Sequence, residues 1–104
     1  LTDKNFSATV LNSGKNFIVE VSAEWSGECF LMSNTIEQCA ELFQSHIEFG
    51  RVNVDMNEQL AGEYGITELP FILFFRMGEL IYHHIGLLSK QSLIHDIKRI
   101  YSLE

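Results

Sequence analysis

Two cysteines stand in this chain, few enough that each is there either for thiol chemistry or as a small apolar side chain. Cys29 closes the run Trp25-Ser26-Gly27-Glu28-Cys29, and Cys39 follows ten residues later. Apolar residues at Cys29, Met32, Ile36, Cys39, Ala40 and Phe43 repeat with helical spacing, so both thiols belong to one helix. Ten residues of helix rise ~15 Å, whereas a disulfide needs Cα atoms within ~7 Å. The two cysteines therefore cannot pair, and Cys39 reads as core. Glu20 is the second chemical signal: a carboxylate inside the apolar run Phe17-Ile18-Val19-Glu20-Val21 has to be paired or neutralised. The histidines carry less. His83 and His84 are adjacent on a strand and point to opposite faces, His46 and His95 read as surface residues, and no Cys-x-x-Cys or His-x-x-x-His spacing suggests a metal.

These residues need elements to position them. Thr2 or Asp3 is expected to cap a short helix with Phe6, Val10 and Leu11 on one face, ending at Gly14. Phe17 to Val21 reads as a strand, and the helix that carries both cysteines opens after Gly27. Phe49 to Val54 is a second strand, and Asn57 to Tyr64 a short helix stopped by Gly65. Phe71 to Phe75 is the most apolar segment and reads as a buried central strand. Met77-Gly78-Glu79 turns it into Leu80 to Ile85, which makes a hairpin. Ser89 caps a last amphipathic helix carrying Leu93, Ile97, Ile100 and Tyr101. Strand, helix and strand in succession imply a right-handed parallel crossover. The expected architecture is α/β, a mixed central sheet of parallel strands plus an antiparallel hairpin, with helices on both faces.

Composition bounds the function. A chain of 104 residues is one domain, here residues 1–104, and its 46% hydrophobic and 20% charged content is that of a globular fold. Seven basic against fourteen acidic residues give a charge of −7, with no basic cluster, which argues against nucleic acid and against anionic membrane surfaces. No apolar run approaches the ~20 residues of a membrane-spanning helix. The absence of an initiator Met is what a trimmed N-terminus would leave, and the sparse cysteines suit a reducing compartment, the cytoplasm.

Three features in register carry a resemblance. Trp25-Ser26-Gly27-Glu28-Cys29 lies between strand and helix, Gly65-Ile66-Thr67-Glu68-Leu69-Pro70 leads into the most apolar strand, and Gly78-Glu79 turns the hairpin before Gly86. Together they resemble the thioredoxin family, whose first signature is Trp-Cys-Gly-Pro-Cys and whose second ends in a cis-proline. The resemblance runs from about Phe6 to Ile100. It implies a thioredoxin fold, a cis peptide between Leu69 and Pro70 beside Cys29, and an extended substrate strand lying across Trp25, Gly27, Glu28, Leu69 and Pro70. It also implies that Glu20 and Arg51 occupy the places of the family's buried acid and its lysine partner, where they could form a bidentate ion pair or retain a proton-transfer role.

The departures matter as much. Ser26 stands where the family has its attacking cysteine, and Glu28 where it has proline. A serine hydroxyl stays protonated near neutral pH without a base, so Ser26 is the position of a lost nucleophile and a good helix N-cap. Cys29 remains as the second, deeper thiol. The resemblance thus implies a redox-family protein with a single site cysteine, binding protein or peptide thiol and disulfide partners as a monomer, without full dithiol–disulfide turnover and with no cofactor. Two other readings stay open: a thioredoxin-type oxidoreductase whose first cysteine was replaced by Ser26, and a non-redox adaptor or peptide-binding domain.

Overall fold

The computed structural model describes residues 1–103. A π-helical turn at Ser7–Leu11 precedes strand β1 (Phe17–Ser22), helix α1 (Gly27–Leu42) and strand β2 (Glu48–Asn53). A 3₁₀ turn (Val54–Met56) leads into the short helix α2 (Glu58–Glu63). Strands β3 (Phe71–Arg76) and β4 (Glu79–Ile85) and helix α3 (Lys90–Ile100) complete the order. The sheet runs β2-β1-β3-β4, with β1 parallel to β2 and antiparallel to β3, and β3 antiparallel to β4. This is the mixed α/β sheet expected of a thioredoxin fold.

Each strand divides its side chains between two cores. Ile18, Ile72 and Phe74 face one side, under Met32, Ile36 and Cys39 of α1 and Leu93 and Ile97 of α3. Phe17, Val19, Val21, Leu73 and Phe75 face the other, under Phe6 and Val10 of the N-terminal segment and Leu60 of α2. Alternation with period two sends neighbours along a strand to opposite layers. Glu20 shares the parity of Ile18 and therefore lies under α1. The Tyr101 hydroxyl, bonded to the carbonyl oxygens of Phe17 (3.2 Å) and Phe75 (2.9 Å), ties the end of α3 to β1 and β3.

The hairpin turn has positive φ at both Met77 (49°) and Gly78 (90°), the geometry of a type I′ turn, which suits the twist of the flanking strands. A Cβ at Gly78 would come within 2.2 Å of the Leu11 carbonyl oxygen, so the turn packs on the N-terminal segment and only glycine fits.

That segment departs from expectation. It is a π-helical turn, with the Asn12 amide bonded to the Ser7 carbonyl at 2.9 Å, and it ends three residues before Gly14. Thr2 exchanges bonds with Asn5, each side-chain oxygen accepting from the other's backbone amide, a reciprocal cap at the entry. Asp3 caps a different helix: its carboxylate accepts from the Leu60 amide at 3.0 Å, a contact across 57 residues that local patterning cannot reveal.

Candidate functional site

At the end of β1 the chain passes through Ala23, Glu24 and Trp25 and enters α1 at Ser26. Extended backbone at Ser26 (φ −94°, ψ 116°) makes it the N-cap, and its hydroxyl oxygen accepts from the Cys29 amide at 3.2 Å. One of the orphan donors of the first turn is thereby satisfied. Trp25 is 72% exposed, yet its ring is fixed, because the indole N–H donates to Asp55 Oδ2 at 2.7 Å from the end of β2. Gly27 and Glu28 are exposed in the first helical turn. Cys29 turns inward and is only 2% exposed.

Leu69 and Pro70 arrive at the same end of the sheet on the loop before β3. Their peptide bond is cis, Leu69 is half-buried against the second core, and the Pro70 carbonyl accepts from the Gly86 amide at 2.8 Å. Because the strand order is β2-β1-β3, this loop flanks the β1–α1 junction on one side. On the other side lies β2, and there a cavity of about 320 Å³ is lined by Ser22, Glu24, Ser26, Cys29, Phe30 and Arg51, among others.

Glu20 is wholly buried and paired. Its Oε1 accepts from Arg51 Nε at 3.0 Å, across the β1–β2 register, and its Oε2 from Ser33 Oγ at 2.9 Å. The expected bidentate pair is not what forms. Arg51 uses Nε alone, since Ser33 occupies the second oxygen, and an Arg51 terminal nitrogen lies 3.7 Å from Glu37 instead. Ser33 was missed from sequence, although it stands one helical turn beyond Cys29, where an α1 side chain reaches the same strand. Asp55 was missed as well: as the residue ending β2 it gave no sign that it would hold Trp25.

Cys39 is fully buried in the core beneath α1 and α3, and burial raises its thiol above the ordinary range, with a smaller opposing pull from Lys90. Both cysteines are free thiols. Among the described residues no cluster of three or more His, Cys, Asp or Glu side chains could hold a metal ion. His83 stacks on Phe71, with ring centroids 5.3 Å apart, while the next residue, His84, lies against α3.

Comparison with known proteins now bears on this geometry. Residues 1–99 match the family model for thioredoxin. The chain belongs to the thioredoxin family. It is 34% identical over 96 residues to a thioredoxin of Chlorobaculum thiosulfatiphilum, covering 92% of this chain and 89% of that protein. A thioredoxin of Pyropia yezoensis is 31% identical over 102 residues, covering 98% and 95%. Thioredoxin 2 of Chlorobaculum tepidum is 36% identical over 89 residues, covering 86% and 82%. The family match spans β1 through most of α3, so the Ser26–Cys29 junction and the Leu69–Pro70 loop both fall inside it.

Proposed function

We propose that this thioredoxin-family protein binds protein or peptide thiol and disulfide partners through Cys29 alone and does not complete dithiol–disulfide turnover. The observation that carries the reading is the hydroxyl at Ser26, committed as an acceptor to the Cys29 amide, in the place where a turnover enzyme of the family keeps its first thiol. Reduction of a disulfide to two free thiols by one such protein needs two attacks: one to form the mixed disulfide and a second, from a neighbouring thiol, to release product. A lone Cys29 supports only the first. Its thiolate displaces one partner sulfur, the partner disulfide breaks, and a Cys29–partner disulfide persists until an external thiol resolves it. Trp25, Leu69 and Pro70 supply the surface for an extended partner segment, whose backbone pairing needs no cysteine. A monomer working in a reducing compartment, the cytoplasm, suits a protein whose two cysteines are free.

The test is insulin reduction by dithiothreitol. The protein is expected to leave the rate at its uncatalysed value, and turnover at an ordinary family rate would sink the reading. Ser26→Cys is expected to restore measurable but subnormal activity, held down by the charge of Glu28 beside the new thiol. A second reading is favoured by the relatives' names: a thioredoxin-type oxidoreductase whose first cysteine was exchanged for Ser26. Glu28 speaks against it, since such an exchange leaves no reason for the neighbouring residue to differ too. The codon at position 26 in the gene decides between them.

A further inference from the structure

Cys29 has two flanks, and the cavity of about 320 Å³ on the β2 side is not the one that faces the Leu69–Pro70 loop. The space exists because β1 ends in small residues. Ser22 and Ala23 form its floor, where a bulkier residue would fill it, and Phe30, 77% exposed, forms a wall. Its polar lining is unusually free. Ser22 is only 7% exposed, and its hydroxyl takes part in none of the hydrogen bonds among the described residues, although it faces the cavity. A buried hydroxyl without a partner costs roughly 1–3 kcal/mol, so it marks a place where a ligand group is wanted. Arg51 spends Nε on Glu20, but a guanidinium has five N–H donors, and its side chain is 48% exposed. Glu24 stands opposite as an exposed carboxylate.

We propose that this cavity admits a low-molecular-weight disulfide carrying an amino-acid head group, and that Cys29 forms a mixed disulfide with it. The volume sits at the lower end of the roughly 300–1,000 Å³ of small-ligand sites, too small for a protein strand. Arg51 and Asn53 recognise the head group's carboxylate, Glu24 its ammonium, and the Ser22 hydroxyl takes a remaining polar atom. The Cys29 thiol gives its proton to solvent, and Sγ attacks one sulfur of the small disulfide. That S–S bond breaks as the Cys29–S–S bond forms, and the other half leaves as a thiolate that takes up a proton. The protein thiol is oxidised and the small disulfide is the oxidant; excess small thiol reverses the step. The proposal rests on the reading of Cys29 as a usable thiol.

The experiment is intact-mass kinetics with four disulfides, each rate divided by that of the same disulfide with free cysteine. The four are cystine, cystamine, dithiodipropionate and neutral hydroxyethyl disulfide. Cystine is expected to lead the neutral disulfide by about ten-fold, as one well-placed charge pair on each side would give. Peptide mapping is expected to place the adduct on Cys29. Ser22→Phe, which fills the cavity, is expected to slow the cystine adduct by about ten-fold or more while leaving the uncatalysed insulin background unchanged. Glu24→Lys, at an exposed position that spares the fold, is expected to erase the advantage of cystine over dithiodipropionate. Equal normalised rates for all four disulfides, or an undiminished rate in Ser22→Phe, overturn the proposal. If Cys29 reacts with iodoacetamide but not with cystine, the cavity proposal fails and the single-thiol reading stands. If it reacts with neither, both fall.

Discussion

Cys29 and Cys39 ride the same helix and are almost equally hidden, at 2% and 0% exposure, yet their surroundings share little. Cys29 lies in the first turn, beside a serine cap, a cavity and a polar cluster. Cys39 lies ten residues deeper, in the core cluster that also holds Phe43, Ile47 and Tyr101, where burial raises its thiol. The difference teaches that fractional exposure does not rank thiols. What ranks them is whether a path for a reagent reaches the sulfur and whether nearby dipoles favour the charged form. The largest expected effect follows. Under native conditions iodoacetamide should modify Cys29 and leave Cys39 untouched until the domain opens. Since opening of a core costs several kcal/mol and each ~1.4 kcal/mol is tenfold, the rates should differ by roughly a thousand-fold. Residue-resolved mass spectrometry reads both at once, and comparable rates would break the comparison.

The two ends also differ in how polarity is handled. Beneath the middle of α1 the sheet offers only apolar side chains, while beneath its first turns it offers Glu20, with Ser33 and Arg51 on its two oxygens. Replacing Arg51 by Met leaves a buried carboxylate with one neutral donor. Breaking such a pair inside a core costs ~3–5 kcal/mol. Arg51 is half exposed, so water can partly take its place, and about 2 kcal/mol is the expected loss in urea unfolding. Glu20→Gln keeps the shape and removes the buried charge, and should cost less, about 1 kcal/mol. An Arg51→Met loss near zero would show the pair to be an ordinary surface bridge.

Much of this was legible in the chain. Phe71 to Phe75 had to be an interior strand because it is apolar on both faces, and Ser89 marked the start of α3 by cap chemistry alone; its hydroxyl accepts from the Ser92 amide. Glu20 announced itself as a buried acid for the same reason. What stayed hidden were contacts fixed only by tertiary assembly. Asp3 caps α2 rather than its own helix, Asp55 holds the Trp25 ring, and Ser33 takes the oxygen that a bidentate Arg51 would have used. None of these has a periodic or local signature. The cavity beside Cys29 is likewise a consequence of which strand lies on which side of β1, a fact that strand order decides.

The comparison sharpens further in alkali. Burial raises the thiol of Cys39 and the phenols of Tyr64 and Tyr101 above their ordinary values. For each, the unfolded chain gives up its proton at lower pH than the folded one. The stabilisation is fully present below the unfolded values, near 9 for the thiol and 10 for the phenols, and is lost as pH rises toward the folded values. Unfolding free energy should therefore fall above about pH 9, each group contributing a slope of at most about 1.4 kcal/mol per pH unit. Cys39→Ala should flatten the first part of that decline, measured by urea unfolding between pH 8 and pH 10 (roughly the window set by these reference values). An unchanged slope would mean that Cys39 ionises as readily folded as unfolded.

The smallest expected effect concerns Ser26. If its present role is to cap α1, the consequences of removing it are set by one hydrogen bond. Its hydroxyl oxygen accepts from the Cys29 amide at 3.2 Å, and in its absence that donor turns toward the cavity and its water. Loss of a serine cap typically costs ~1 kcal/mol when alanine replaces it, but only a few tenths when glycine does, because glycine reaches cap geometry at little cost and leaves the amides open to solvent. Ser26→Ala is therefore expected to lower stability by about 1 kcal/mol, and Ser26→Gly by a few tenths. Both should leave Cys29 alkylation within about a factor of three of the starting protein, since the remaining amides of the first turn still point at the thiol's end of the helix. Cys39 should be indifferent to either change. A larger loss than the cap accounts for, or a collapse of Cys29 labelling in both variants, would give the hydroxyl a part in the thiol's chemistry and weaken its assignment as a vacated nucleophile position.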